Sequence, residues 1–148
     1  MSLQERIQQE IKAAMLARDV DKLGTLRLLK SALGYAQIEK KTDSLPDADV
    51  MAIIQREVKK RRDSAEQFTT GGRPELADKE LKEIVVLETF LPKQLSPEEL
   101  EQIVQAAIQE AGATSKKDMG AVMKLVQAKV AGRADGKTIS TLVGRLLP

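Results

Sequence analysis

The sequence predicts an all-α protein in two parts: a helical domain of about four helices over residues 1–92, then a small three-helix domain over residues 95–148. Three observations carry that prediction. Apolar residues recur at three- and four-residue spacing through nearly every segment, the period of a helix with one buried face. Residues that start and stop helices punctuate these segments at short intervals. No set of partner strands is offered anywhere, so an isolated strand would have nothing to pair with.

Each element has its own signal. Ser2 with Glu5 forms a capping-box pattern, followed by Ile7, Ile11, Ala14 and Met15 on one face and an end near Arg18. Asp19 or Asp21 caps a second helix whose apolar face is Leu26, Leu29, Leu33 and Ala36. Gly24 and Gly34 lie inside it, each weakening it by roughly 1 kcal/mol relative to Ala, which points to close helix packing. Lys40 to Ser44 is polar and reads as a loop. Pro46 suits the first position of a third helix, with Asp47 and Asp49 at its positive end and Val50, Ile53, Ile54, Val58, Ala65 and Phe68 along its apolar line.

Gly71-Gly72 ends that helix and Pro74 starts the next, a spacing that implies a tight antiparallel pair. The fourth helix is expected from Pro74 to about Leu91, apolar nearly all round at its end and buried on several sides. Pro92 to Pro97 is the clearest boundary. Ser96-Pro97-Glu98-Glu99 then starts a helix faced by Leu100, Ile103, Val104, Ala107, Ile108 and Ala111 and stopped at Gly112. Ser115 and Asp118 open another, faced by Met119, Val122, Met123, Val126 and Val130 and closed at Gly132. The last carries Ile139, Leu142, Val143, Leu146 and Leu147.

Composition excludes several chemistries. The chain has no Cys and no His, hence no disulfide, thiol nucleophile, imidazole base or thiolate and imidazole metal site. Tyr35, Phe68 and Phe90 are the only aromatics, too few to stack a single-stranded nucleic acid. No cofactor, metal or catalytic residue is expected. No apolar run reaches the ~18 residues of a membrane span, so no membrane partner is expected. Acids within the first helix argue against a transit peptide, and a cytoplasmic location is expected.

Charge is uneven. Residues 1–92 balance 16 basic against 16 acidic groups. From Ala111 onward seven basic residues (Lys116, Lys117, Lys124, Lys129, Arg133, Lys137 and Arg145) meet only Asp118 and Asp135. Such an excess attracts anions, a phosphate backbone among them. The candidate nucleic-acid contacts are Lys117, Lys124, Arg133, Lys137 and Arg145, and the alternative reading is an ordinary helix turn with solvated lysines. Free N–H groups at the start of the last helix, with Arg133 and Lys137, would favour a phosphate or carboxylate there. Ala131-Gly132-Arg133-Ala134-Asp135-Gly136-Lys137-Thr138 also fits a relaxed P-loop pattern, but it follows an amphipathic helix where a P-loop needs a buried strand. Arg61 and Arg73 are the alternative anion-binding residues. Within Lys59-Lys60-Arg61-Arg62, Arg61 falls on the apolar line, where it either pairs with Glu57 or Glu66 or holds a ligand anion at the core's rim.

The ordered motifs Leu26-Arg27-Leu28-Leu29-Lys30-Ser31-Ala32-Leu33, Lys59 to Phe68, Gly72-Arg73-Pro74-Glu75-Leu76-Ala77, Phe90-Leu91-Pro92, Asp118 to Met123 and Gly132 to Lys137 resemble the GatB/YqeY family, in its stand-alone YqeY-like form. The resemblance covers essentially the whole chain. It implies a C-terminal domain similar to the tail of the B subunit of glutamine-dependent tRNA amidotransferases, a tail that contacts tRNA. It further implies a link to carbon–nitrogen ligases with glutamine as amido donor, though the catalytic body of those enzymes has no counterpart here. The leading expectation is a tRNA-associated adaptor acting through its basic C-terminal surface. The others are a helical module docking an amidotransferase subunit or aminoacyl-tRNA synthetase, and an amidotransferase component with chemistry of its own.

Overall fold

The first unit, Met1–Leu91, holds helices α1 (Leu3–Ala17), α2 (Val20–Lys40), α3 (Asp47–Thr70) and α4 (Pro74–Glu88). The second, Pro92–Pro148, holds α5 (Pro97–Ala111), a 3-10 turn over Lys116–Asp118, α6 (Met119–Val130) and α7 (Gly136–Leu146). These elements come from a computed structural model that describes residues 1–148. It contains no strand, so the protein is all-α.

In the first unit α3 and α4 form the most extensive pair, joined by the short turn that Gly72 makes possible at φ 76°. Helix α2 packs against α1, α3 and α4. The core they share includes Ile7, Leu26, Leu29, Ile54 and Leu87, each no more than 2% exposed. Burying a side chain of this kind is worth about 1.5–3 kcal/mol relative to exposure.

Polar ties close the open end of this core. Ser2 and Glu5 make the reciprocal cap, and the Leu3 N–H donates to the Asp47 carboxylate at 2.9 Å. The Arg6 guanidinium lies 5.1 Å from the Phe90 ring centroid and donates to the Thr89 carbonyl at 2.8 Å, fixing α1 to the end of α4.

Several local expectations change. Asp19 rather than Asp21 caps α2, accepting from the Lys22 N–H at 3.2 Å. Pro46 is the N-cap of α3 instead of its first helical residue. Helix α4 ends at Glu88, and only Ala77, Ile84 and Leu87 within it are buried. Leu81 and Val85 are 49 and 67% exposed, so α4 is not enclosed on several sides. Met15 is likewise exposed, lying at the edge of the α1 face. Nothing lies within 4 Å of a Cβ built on Gly24 or Gly34, so neither glycine serves close packing inside the chain.

In the second unit each of the three helices touches the other two. Leu100, Val104 and Ala107 from α5 meet Val122, Val126 and Val130 from α6 and Ile139 and Val143 from α7. Leu147 is buried with them just past the end of α7. Helix α5 is bounded as its sequence dictates, with the Ser96 hydroxyl accepting from the Glu99 N–H and Gly112 at φ 63°.

Candidate nucleic-acid interface

The basic residues of the second unit hang on two helices and the turns that bound them. Ser115 and Asp118 wind the 3-10 turn: the Asp118 carboxylate accepts from the Thr114 and Ser115 N–H groups at 3.0 and 3.4 Å. That turn exposes Lys116 and Lys117 immediately ahead of α6. Val122, Val126 and Val130 take the inner side of α6, which leaves Lys124 on its solvent side. Lys117 and Lys124 are seven residues apart, about 10 Å along the axis. On α7, Ile139 and Val143 point inward, and Lys137 and Arg145 are exposed on the opposite side about 12 Å apart.

Arg133 has a different part. Its Nε donates to the Val130 carbonyl and its Nη2 to the Lys129 carbonyl, both at 3.0 Å. Both carbonyls lie past the last i+4 bonds of α6, and the Val130 carbonyl also accepts from the Arg133 N–H at 3.1 Å. Ala131 at φ 49° and Gly132 at φ 84° turn the chain back so that the side chain reaches them. The Arg133 carbonyl in turn accepts from the Leu95 N–H at 2.9 Å. Arg133 therefore caps a helix and anchors a loop. Its guanidinium is half-buried and held on the chain's own carbonyls.

The expected anion cradle at the start of α7 is also occupied from within. Asp135 is its N-cap, and the carboxylate accepts from the Thr138 N–H at 2.7 Å. A protein acid already complements the helix dipole where a phosphate was expected. The segment fitting the relaxed P-loop pattern leaves α6, not a strand.

Arg61 and Arg73 do not form one site. Arg61 lies in the middle of α3 and Arg73 beyond its end, about 15 Å away along the helix. The Arg61 Nε contacts Glu83 at 3.2 Å and its Nη1 donates to the Glu57 carbonyl at 3.1 Å. The partner is thus Glu83 of α4, not the carboxylates of Glu57 or Glu66. Arg73 is exposed before α4.

Burial and pairing sort the remaining charges. The unit has eight basic and six acidic residues, and four of the acids (Glu98, Glu99, Glu101 and Glu110) belong to α5. Asp118 and Asp135 are engaged as caps. Lys129 pairs with Glu110 at 2.7 Å and drops out of the free positive charge. Lys117, Lys124, Lys137 and Arg145 enter none of the molecule's ion pairs. Lys116 joins them as an exposed cation not singled out beforehand, although its place beside Lys117 in the sequence was the available signal.

An all-helical chain of two units, with four acids of the second unit on α5 and its exposed, unpaired cations on α6, α7 and the turn before α6, defines a class of small helical proteins. The chain belongs to the Yqey-like protein family, whose model matches residues 4–147. An uncharacterized protein of Schizosaccharomyces pombe is 34% identical over 95 residues, 64% of this chain and 76% of its own length. The mitochondrial protein named Altered inheritance of mitochondria protein 41 is 27% identical in Vanderwaltozyma polyspora, over 84% of this chain and 66% of that protein. Its counterpart in Pyrenophora tritici-repentis is 27% identical over 87% of this chain and 71% of that protein.

These names overturn the expected cytoplasmic location, since the relatives are called mitochondrial. The physical reason is visible in α1. From its second residue on it lies within the family match, and it buries Ile7, Ile11 and Ala14, so its acids belong to a packed helix and carry no information about targeting.

Proposed function

We propose that the protein is a tRNA-associated adaptor whose second unit binds the phosphate backbone through the exposed sides of α6 and α7. The observation that carries this reading is the set of unpaired, exposed cations Lys117, Lys124, Lys137 and Arg145, gathered in a unit whose acids sit on α5 or serve as caps. The resemblance of this unit to an amidotransferase tail supports tRNA as the nucleic acid. Recognition of this kind is by charge and shape, because backbone contacts position a protein without reading bases. Few aromatics are available to add stacking.

The test is a titration of tRNA with the whole chain at increasing salt. Binding at low salt that weakens steeply, and is lost in Lys124→Glu with Lys137→Glu, supports the reading. Absence of binding at low salt, or full affinity in the doubly reversed variant, sinks it. Partners that persist in nuclease-treated extract after RNA removal favour the docking-module reading instead.

A further inference from the structure

Helix α2 is apolar on two opposite sides. Leu26, Leu29 and Leu33 face the core, each no more than 2% exposed. The outer side presents Val20, Leu28, Tyr35 and Ile38, exposed by 76, 54, 76 and 76%. At ~100° per residue these four fall within a sector of about 80°, and they run about 27 Å along the helix. Single exposed apolar residues are ordinary, but an aligned row of them marks an interaction surface. Gly24 and Ser31 lie in the same sector, and a Cβ at Gly24 would meet nothing within 4 Å. A glycine there weakens the helix without any packing return inside the chain.

We propose that this face joins two copies of the chain, their α2 helices antiparallel about a two-fold axis between Leu29 and Lys30. The helix is complementary to itself in that arrangement. Gly24 lies opposite Tyr35 of the partner subunit, Leu28 opposite Ser31, and Val20 beside Ile38, so each bulky side chain meets a smaller or matching one. The ends agree in charge as well. Asp19 and Asp21 stand at the start of α2, Lys40 and Lys41 at its finish. Antiparallel pairing sets one end against the other. About that axis position 40 falls opposite 19 and position 38 opposite 21, so Asp19 and Asp21 come within one turn of the partner's Lys40, which in the single chain reaches Asp49 at 2.8 Å. Parallel pairing would stack Tyr35 on Tyr35 and like charges on like. A self-matching face with closed two-fold symmetry is what a homodimer requires. Acids at the start of a helix and lysines at its finish also complement its own dipole, so the matching of Gly24 with Tyr35 and of Leu28 with Ser31 is what selects a second copy.

Sedimentation of the full chain from micromolar to hundreds of micromolar tests the proposal. A species of twice 16.3 kDa is expected to build up with concentration. Leu28→Glu is expected to raise the dissociation constant at least about tenfold, with the helical circular-dichroism signal unchanged. The chain has no Cys, so introduced cysteines report register cleanly. Leu28→Cys mixed with Ser31→Cys should cross-link to each other faster than either does to itself. A monomer at every concentration overturns the proposal. So does a dimer indifferent to Leu28→Glu, or preferential self-cross-linking of Leu28→Cys.

Discussion

Arg61 of α3 and Glu83 of α4 meet at 3.2 Å, with only 11 and 18% of their side chains exposed. The guanidinium also bonds the Glu57 carbonyl one turn back, so a single side chain links its own helix to its neighbour. Removing one member strands the other charge away from water. Arg61→Ala is expected to lower stability by about 2–4 kcal/mol in urea unfolding. Arg61→Met combined with Glu83→Met should cost less than Arg61→Ala, because no charge is left behind. A loss within about 0.5 kcal/mol for Arg61→Ala would mark the pair as an ordinary surface contact.

Arg133 is expected to register in stability and not in RNA contact. Arg133→Ala removes the side-chain donor of the Lys129 carbonyl, while the Val130 carbonyl still accepts from the N–H of residue 133, and should cost about 1 kcal/mol. Arg133→Lys should recover little of this, because an ammonium lacks the planar fork that holds both carbonyls. If Arg133→Ala abolishes tRNA binding and melts at the normal temperature, the side chain faces outward in the bound protein.

Ala131 caps α6 in the left-handed region at φ 49°, a conformation that suits glycine far better than alanine. Ala131→Gly is expected to raise the stability of the second unit by about 0.5–1 kcal/mol. Thermal unfolding measures it. A lower melting temperature would contradict the described turn.

Salt dependence counts the phosphates held. Four cations making one contact each give a logarithmic slope of about −3. Neutralising Lys124 or Lys137 with Gln should flatten that slope by about 1 for each change. Lys129→Gln should leave it nearly unaltered, since Glu110 already holds that ammonium. Equal effects for Lys124 and Lys129 would show that general charge, not this surface, drives binding.

Much of the architecture was legible because helix signals are local. Ser2 with Glu5 forms the reciprocal cap, Ser96 accepts from the Glu99 N–H, and Ser115 with Asp118 caps the 3-10 turn that leads into α6. The 3-4 spacing also marked most of the buried residues, although Met15 and Ala111 are exposed and the inner side of α4 was not singled out. Partners chosen across helices were not legible. Nothing near Arg61 in sequence names Glu83, 22 residues away, because the choice depends on how α3 and α4 align. Arg133 was misread for a related reason. A cation after a glycine looks available, and only the left-handed turn at Ala131 and Gly132 swings it back onto α6. Lys129 counted toward the charge excess of the segment, and its acid lies on α5, outside it. The outer face of α2 was hidden in plain view, since the inner leucines accounted for the helix by themselves.

The bond from the Leu95 N–H to the Arg133 carbonyl spans 38 residues and makes a clasp. Tension drawn on the second unit from its N-terminal side does not first unwind α5. It loads this clasp, beside which the Gln94 amide also reaches the Gly132 carbonyl at 3.4 Å. The unit thus has a mechanical fuse at the loop that orients α6 and α7. A pull that opens it would free the Arg133 carbonyl while the guanidinium stays bonded to Val130 and Lys129, so the loop would loosen from Leu95 and remain tied to α6.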